Sequence, residues 1–282
     1  MTAGEVGVVV ATRNRRAELM RTLDRLRSLP ERPAVVVVDN HSGDGTVEAV
    51  ERRGDVTLIP LDTNIGAAAR TVGVHALTTR FAAFSDDDSW WSPGALDIAT
   101  EIMDRRPAVG LLMGRILVGL EQAEDVICEQ LRESSVTNEY GEPVIIGFAA
   151  CGAIVRRKAF LDVGGFLPQL CIGGEETLLA LDLIDAGWQC IYSDDVVVHH
   201  HPSMLRDRAV RSRMTVRNQL WTMWLRLPPT QAVRATVRLM RSPFAPRVGG
   251  TFDAIVGWPA VRHLRRTVTP ATSRLVRAVS RG

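Results

Sequence analysis

Residues 35–46 read Val35-Val36-Val37-Val38-Asp39-Asn40-His41-Ser42-Gly43-Asp44-Gly45-Thr46 and pass from a strand through a turn into a helix. The valines form a continuous β-branched run, which is typical of a parallel strand buried on both faces. The polar and glycine residues after them favour a turn, and a helix is predicted over Gly45–Arg53. Repetition of this strand–turn–helix unit would predict an α/β fold.

The unit does recur over the first hundred residues. Further strands are predicted at Val6–Ala11, Val56–Pro60 and Phe81–Ser85. Helices are predicted at Arg15–Ser28, at Ile65–Leu77 and from Pro93 towards Arg105. We therefore expect a Rossmann-like, mostly parallel sheet, whose ligands bind beyond the carboxyl ends of the strands.

From Val109 onward the alternation weakens. Strands are predicted at Val109–Val118, Val144–Phe148, Cys151–Arg156, Cys190–Tyr192 and Val196–His199. Glu121–Gly141 is expected to be an irregular loop, and Glu175–Ala186 a helix.

The composition is that of a folded, globular chain. Of 282 residues, 46% are hydrophobic, and the net charge is only +2, which excludes intrinsic disorder. No apolar run approaches the ~18 residues of a membrane-spanning helix. The N-terminus lacks the pattern of a signal peptide, and the cysteines form no C-x-x-C pair. We expect a reduced, cytoplasmic protein without a disulfide framework or structural zinc.

The charge is divided unevenly along the chain. Residues 205–282 contain 16 Arg, no Lys and two Asp, a charge of +14, whereas residues 1–204 carry −12. This shift predicts a main domain over residues 1–204 and a basic helical C-terminal extension over residues 205–282. Helices of the extension are predicted at Leu205–Leu227, Pro229–Arg241 and Phe252–Arg266.

Acidic residues follow two of the predicted strands. In Ser85-Asp86-Asp87-Asp88-Ser89, adjacent carboxylates repel one another, which favours a hard cation that also accepts phosphate oxygens as ligands. A solvated acidic turn is the alternative. Asp39 can accept a hydrogen bond from a uracil N–H or a ribose hydroxyl, or it can simply form a turn. The motifs of P-loop proteins, dinucleotide-binding folds, serine hydrolases and zinc proteases are absent.

Taken together, these segments resemble the family 2 glycosyltransferases with a GT-A fold. The resemblance spans roughly residues 5–203, in the family's order, and leaves out the basic extension. The segments that carry it are Val8-Val9-Val10-Ala11-Thr12-Arg13-Asn14-Arg15, residues 36–46, Asn64-Ile65-Gly66-Ala67-Ala68-Ala69-Arg70-Thr71-Val72-Gly73, Asp86-Asp87-Asp88, Gly164-Gly165-Phe166, Gly174-Glu175-Glu176-Thr177, Ala186-Gly187-Trp188 and Val196-Val197-Val198-His199-His200-His201.

The resemblance implies a nucleotide-diphosphate sugar as donor, with a UDP- or dTDP-sugar as the first expectation. Its base would be lined by Ala11, Thr12 and Arg13. Asp39 would bind the base or the ribose, and Arg70 would approach the base or the phosphates.

The resemblance also implies a divalent cofactor, Mn²⁺ or Mg²⁺. Asp86 and Asp88 match the acidic positions of the family's D-x-D motif, and Asp87 between them belongs to the expected donor site. The candidate metal ligands are Asp88, Asp86 and His199. Because side chains alternate along a strand, His199 and His201 share one side, and ligation by His201 is the weaker option.

The family's late motif is commonly Glu-Asp, with the aspartate as catalytic base, whereas this chain has Glu175-Glu176. The implied activity is inverting transfer to an acceptor hydroxyl, with Glu176 or Glu175 as base. Glutamate is one methylene longer, and Gly173-Gly174 can adjust the backbone. Acidic enrichment of a first helical turn is the alternative for this pair.

Two rival functions are considered as alternatives. A non-catalytic sugar-nucleotide or glycan-binding module would keep the fold and bind donor without transfer or hydrolysis. A sugar nucleotidyltransferase would need a glycine-rich, basic loop after the first strand, and Thr12-Arg13-Asn14-Arg15 contains no glycine.

The basic extension combines arginine and tryptophan on imperfectly amphipathic helices, which suits an anionic membrane surface on the inner face of the cell membrane. The alternatives are packing on the acidic domain, expected first for the helix that begins at Leu205, and a homodimer. The acceptor stays open, with a lipid-linked acceptor as one option. No nucleic-acid partner is expected.

Overall fold

The computed structural model describes residues 5–202, 208–241 and 247–279, with the side chains of residues 208–210 and 247 outside that description. Within these residues, nine strands form one sheet in the order β3-β2-β1-β4-β8-β6-β9-β5, with β7 paired to β6. The strands are β1 (Val6–Thr12), β2 (Ala34–Asp39), β3 (Thr57–Pro60), β4 (Phe81–Asp86), β5 (Ser89–Trp91), β6 (Val109–Val118), β7 (Ala123–Glu124), β8 (Ala153–Arg156) and β9 (Gln189–His200).

The first half of the sheet is parallel. β1 pairs in parallel with β2 and β4, and β2 pairs in parallel with β3. β8 runs antiparallel to β4 and β6, and β5 runs antiparallel to β9. Thr12 lies opposite Asp39, and Ala11 lies opposite Asp86, so the carboxyl ends of β1, β2 and β4 meet at one edge. The α/β prediction with a mostly parallel sheet is confirmed.

Helices connect and cover the strands, and the core lies between the two. Phe84, Phe160 and Phe166 pack there with ring centroids 5.6–5.7 Å apart. The helices are α1 (Arg16–Arg27), α2 (Thr46–Arg53), α3 (Ala69–Ala76), α4 (Ala95–Arg105), α5 (Val126–Arg132), α6 (Arg157–Asp162), α7 (Glu175–Asp185), α8 (Arg208–Arg226), α9 (Pro229–Arg241), α10 (Arg247–Val261) and α11 (Pro270–Val279). The predicted start of α8 at Leu205 lies outside the described residues.

The predicted strand Val144–Phe148 is wrong. Only a single bridge from Val144 to Ile191 joins this segment to the sheet. Ile146 turns instead towards an apolar cluster formed by the C-terminal helices, so the chain leaves the sheet after two residues.

Two further predictions need correction in the second half of the chain. The loop predicted over Glu121–Gly141 contains β7 and α5, and Asp125 caps α5 by accepting a hydrogen bond from the Ile127 amide at 3.0 Å. The two short strands predicted after α7 are one strand, β9. The register of β9 against β6 shifts after Gly114, and this irregularity accommodates the polar residues in the middle of β9, which had suggested a turn.

The C-terminal helices pack on the body of the protein. Val216, Leu220 and Trp221 of α8 are buried against Leu170 and Leu178. A second apolar cluster joins α7 to α8, α9 and α11. Among the residues that the structure describes, no helix combines the length and the apolar character needed to cross a membrane.

A buried ion pair adds to this packing. Asp182 on α7 is bound by the Arg226 guanidinium, with Nη2 at 2.9 Å from Oδ2, and by Arg266 Nη2 at 3.0 Å from Oδ1. Asp182 and Arg226 are 4% and 6% exposed. Some of the arginines that make the extension basic therefore neutralise the acidic body.

Candidate active site

A cleft of about 460 Å³ opens at the carboxyl ends of β1 and β4. The parallel register of these strands places their ends side by side, as the sequence predicted for a ligand site. The predicted site residues that line the cleft are Ala11, Thr12, Arg13, Arg70, Asp86, Asp87, Glu175 and Glu176. Asp39, Asp88 and His199 are not part of its lining.

The loops after β1 and β2 hold each other in place at the cleft. The Asn40 amide donates to the Thr12 carbonyl at 2.8 Å. The side chain of Asn40 accepts from the Ile65 amide and donates to the Gly66 carbonyl, both at 3.1 Å. Asn40 therefore ties these loops to the segment that leads into α3.

Asp39 lies directly behind this part of the cleft and is 1% exposed. Its Oδ2 accepts a hydrogen bond from the Ser42 amide at 2.8 Å. Its Oδ1 is buried and has no hydrogen-bond partner among the described residues. A buried carboxylate oxygen without a donor is costly, so this atom is suited to a donor from a ligand.

Arg70 on α3 forms an ion pair with Asp86 at the end of β4. Gly73, one turn later, brings α3 close to the sheet, because a Cβ there would lie only 2.4 Å from Val9 Cγ1. Burial works against the charge of Arg70, but the surrounding carboxylates outweigh it and raise its pKa. Arg70 is therefore a permanent cation inside an acidic cleft.

Asp87 is buried beside Asp86 and Asp88. Its carboxylate accepts from Thr12 Oγ1 at 3.0 Å, and its backbone carbonyl accepts from Thr22 Oγ1 at 2.8 Å. Burial, and then the charges of Asp88 and Asp86, raise the pKa of Asp87 to about 7. The Asp87 side chain lines the cleft.

The three histidines that end and follow β9 divide between two sides. His199 lies against Ser92, with Nε2 2.8 Å from the hydroxyl, and stacks on Trp90. His201 contacts the same Trp90 ring, as strand alternation requires. His200 lines the cleft, and its Nε2 lies 3.3 Å from Asp88 Oδ1. The structure thus brings His200, rather than His199, to the acidic cluster.

Asp86, Cys151 and His200 could hold a metal ion together, because one ligand atom of each lies within 4.8 Å of the others. Burial raises the pKa of the Cys151 thiol well above its usual value, so Cys151 contributes a neutral sulfur at most. A carboxylate and an imidazole, completed by phosphate and water oxygens, suit Mn²⁺ or Mg²⁺. The residues present fit such an ion.

Glu175 and Glu176 begin α7 on another wall of the cleft. Gly174 caps the helix with φ 92°, and Gly173 has φ 88°, so the backbone takes the left-handed conformation that glycine permits. Glu175 is 3% exposed, and its Oε2 has no partner among the described residues. Glu176 is only partly buried.

The glutamates hold less charge than two isolated carboxylates would. Burial, and then the charge of Glu176, raise the pKa of Glu175 to about 8. Burial also raises the pKa of Glu176. Glu175 is therefore largely protonated at neutral pH.

Helix α8 fixes the loop before α7. The Asn218 side-chain amide donates to the carbonyls of Leu170 and Gly173, both at 2.7 Å, and contacts the Ile172 carbonyl at 3.2 Å. Asn218 is fully buried. The same helix sends Arg211 and Met214 to the cleft, so the C-terminal extension helps to build the site.

Sequence reasoning missed several cleft residues. His200 belonged to the histidine run, and only the pairing of Trp90 with His199 in the β5–β9 ladder decides which histidine faces inward. Cys151 lies in the short 3₁₀ turn Ala150–Gly152 before β8, and Arg211 lies beyond the matching region. Neither of these two residues carries a sequence signal that would place it here.

Comparison with known proteins adds the family. The family model described as "Glycosyl transferase family 2" matches residues 7–164, more than half of the chain. The chain belongs to glycosyl transferase family 2. This confirms the resemblance drawn from the motifs.

Two curated relatives come from Mycobacterium tuberculosis. Its pre-mycofactocin glycosyltransferase is 34% identical over 220 residues, which cover 73% of this chain and 45% of that protein. The chain thus spans about half the length of that relative. The N-acetylglucosaminyl-diphospho-decaprenol L-rhamnosyltransferase is 27% identical over 248 residues, 75% of this chain and 81% of that protein. Both are named as transferases.

Solved structures share the GT-A fold. The mannosyltransferase PcManGT from Pyrobaculum calidifontis, in complex with GDP-Man and Mn²⁺, superposes with a TM-score of 0.62 at 20% identity and covers 99% of this chain and 75% of its own. S. aureus TarS 1-349 in complex with UDP-GlcNAc gives 0.62 at 17% identity, with coverage of 98% and 81%. At these identities the likeness concerns the fold alone.

Proposed function

We propose that this family 2 glycosyltransferase moves a sugar from a nucleotide-diphosphate sugar to an acceptor hydroxyl and inverts the anomeric carbon. The observation that carries the proposal is that one cleft holds Asp86 and Arg70 together with Glu175 and Glu176. The first pair suits a diphosphate and its cation, and the second supplies a base. Catalysis of transfer needs both in one place.

The donor site would be formed by Ala11, Thr12, Arg13, Asp39, Arg70, Asp86 and Asp87. Asp39 offers a buried carboxylate oxygen to a donor N–H or hydroxyl, which suits the uracil or thymine of a UDP- or dTDP-sugar and equally the ribose. Arg70 is shared between Asp86 and the glutamates, so it can turn to the diphosphate when the donor enters.

A divalent cation, Mn²⁺ or Mg²⁺, would be held by Asp86 and His200 together with the donor's diphosphate. His200 takes the position expected for His199 in the ligand set. Asp88, 3.3 Å from His200 Nε2, would orient that imidazole rather than bind the ion directly. When bound, the ion supplies positive charge to the departing diphosphate.

Glu176 is the proposed base. It lines the cleft and is less buried than Glu175, so an acceptor hydroxyl can reach it. Glu175, with a pKa of about 8, holds a proton at neutral pH and so removes one negative charge from beside Glu176. The acceptor oxygen gives its proton to Glu176 and bonds to the anomeric carbon opposite the nucleotide, while the bond from that carbon to the diphosphate oxygen breaks.

The acceptor is proposed to be lipid-linked or close to a membrane, and the enzyme to attach to the cytoplasmic face. One curated relative is named for a diphospho-decaprenol. Apolar side chains that are 62–87% exposed project from α10: Val248, Phe252, Ile255 and Val256. Together with the arginines of the extension, this face suits anionic lipid.

The division into residues 1–204 and 205–282 is kept as a proposal, with donor site and base in the first part and attachment in the second. A homodimer through the α10 face is the alternative use of that surface. It would give concentration-dependent association without lipid dependence.

The test is product analysis with a panel of isotopically labelled nucleotide sugars, with and without Mn²⁺, on the full chain. We expect metal-dependent transfer or slow hydrolysis, with an inverted anomeric configuration detected by NMR. Donor binding without any turnover, across donors and acceptors, would favour the binding module. A retained configuration would refute the direct displacement by an activated acceptor.

A further inference from the structure

A second cavity, of about 400 Å³, lies between α7, α8, α9 and α11. We call it the α7–α8 groove. Its apolar walls come from Ile146, Leu181, Met223, Leu227, Leu239 and Val276. It takes no part in the donor and base arrangement described above.

The groove adjoins the catalytic cleft, because three chain segments each line both. On α7, Glu176 faces the cleft, and the next residue, Thr177, lines the groove. On α8, Met214 lines the cleft, and Gln219 lines the groove about 7.5 Å farther along the helix. The groove therefore has a wall next to the proposed base.

The third shared segment is the loop before β8. Ala149 lines the cleft, and Ile146, three residues earlier, lines the groove. These shared segments mark where an acceptor with its hydroxyl at Glu176 would pass into the groove.

The lining suits an amphiphile. Apart from Arg238, the groove-lining residues are uncharged. Thr222 is 3% exposed, and its Oγ1 has no hydrogen-bond partner among the described residues, so it can donate to one ligand oxygen. A mostly apolar pocket with few convergent polar groups is typical of a small-molecule site.

One wall of the groove also continues to an apolar surface. Ala235 and Leu239 of α9 line the groove, while Val233 and Val237 on the same helix are 49% and 43% exposed. The exposed valines stand among Arg234, Arg238 and Arg241 of the same helix, a mixture that suits an anionic lipid surface. A chain leaving that surface would meet the groove on the way to the base.

We propose that the α7–α8 groove binds the hydrocarbon part of an amphiphilic acceptor and so sets acceptor specificity. This proposal rests on the proposed glycosyl transfer, since it places the acceptor's hydroxyl at Glu176. It adds a requirement that the transfer chemistry does not make: affinity must grow with the length of the hydrocarbon chain. Each buried methylene should tighten binding about fourfold until the groove is full.

The test is a binding series with hexyl, octyl and decyl phosphate below their micellar concentrations, measured by calorimetry on the full chain. The wild type is expected to show the fourfold step per methylene. Ala235→Trp, which fills the groove, should lose the dependence on chain length. Ala260→Trp, at an exposed position of α10, is the matched control and should keep it.

A second readout needs no variant. Methyl NMR signals of Met223 and Ile146 should shift with decyl phosphate and not with inorganic phosphate. Met20 and Ile98, away from the groove, should stay unchanged. Binding without chain-length dependence, or shifts that spare Met223 and Ile146, would overturn the proposal. Donor affinity, measured in the same samples, should be equal in all variants, so loss of donor binding would instead count against the proposed function.

Discussion

Asn218 offers a sharp test of the claim that the C-terminal extension positions the catalytic loop. The perturbation is Asn218→Leu, which keeps a similar volume and removes the side-chain amide. The carbonyls of Gly173 and Ile172 then lose hydrogen bonds of 2.7 and 3.2 Å, whereas the Leu170 carbonyl keeps one from Arg217 Nη2 at 3.1 Å. An unsatisfied buried acceptor costs about 1–3 kcal/mol, so the two together should cost about 2–4 kcal/mol after the gain in apolar contact.

For a chain of this size, that loss should lower Tm by about 4–8 °C. The assay is thermal unfolding followed by circular dichroism, together with steady-state kinetics at a temperature where the variant is folded. Turnover should fall more than donor affinity, because the loop leads directly into Glu175 and Glu176.

The control is Arg234→Leu on the exposed face of α9, which should leave Tm and turnover nearly unchanged. A change in Tm of less than about 1 °C for Asn218→Leu would refute the clamp. A lower Tm with unchanged turnover would keep the packing but remove its role in positioning the base.

Three further predictions concern the metal, the acidic cluster and the membrane. Asp86→Ala should abolish Mn²⁺-dependent donor binding in calorimetry. Asp88→Ala should weaken that binding about tenfold, because it removes a residue that orients a metal ligand. Equal donor affinity in the wild type and both variants would reject the proposed metal ligands. Because the pKa of Asp87 is raised, its ionisation destabilises the folded state; this cost is absent below about pH 4 and complete above pH 7. Asp87→Asn should therefore raise Tm by several degrees at pH 8 without divalent ions and leave Tm unchanged at pH 4. The reverse order of these Tm changes would contradict the assigned burial. Full-length protein should sediment with anionic liposomes at low salt and less at physiological salt. A variant carrying Phe252→Ser and Ile255→Ser should bind the liposomes more weakly. If the protein does not bind lipid at low salt, the exposed face of α10 would instead serve a homodimer.

The fold, and the position of the cleft at the carboxyl edge of the sheet, could be predicted from the sequence because both depend on local patterns. Valine runs such as Val35–Val38 define buried parallel strands, and the polar residues after them must lie at the carboxyl edge. The strand Val109–Val118 has the predicted bounds for the same reason. These elements need no information from distant parts of the chain.

The remaining elements depend on partners that are far apart in sequence. β5 is only Ser89–Trp91, and it exists because β9 offers a free edge, with Trp90 opposite His199. That pairing also decides that His200 faces the cleft. The segment after Val144 leaves the sheet because the C-terminal helices bind Ile146. Such contacts have no signature within a short window of sequence.

The central claim is that Glu176, at the start of α7, is the base for glycosyl transfer in a cleft that binds donor independently of it. The measurement is transfer rate and donor affinity for Glu176→Gln, with Glu175→Gln as the matched neighbour. We expect Glu176→Gln to keep donor affinity and to slow transfer by about 10²–10⁴-fold, the usual contribution of a general base. A slow Glu175→Gln with a normal Glu176→Gln would move the base by one residue. Near-normal transfer in both variants would contradict the assignment of the base to the start of α7.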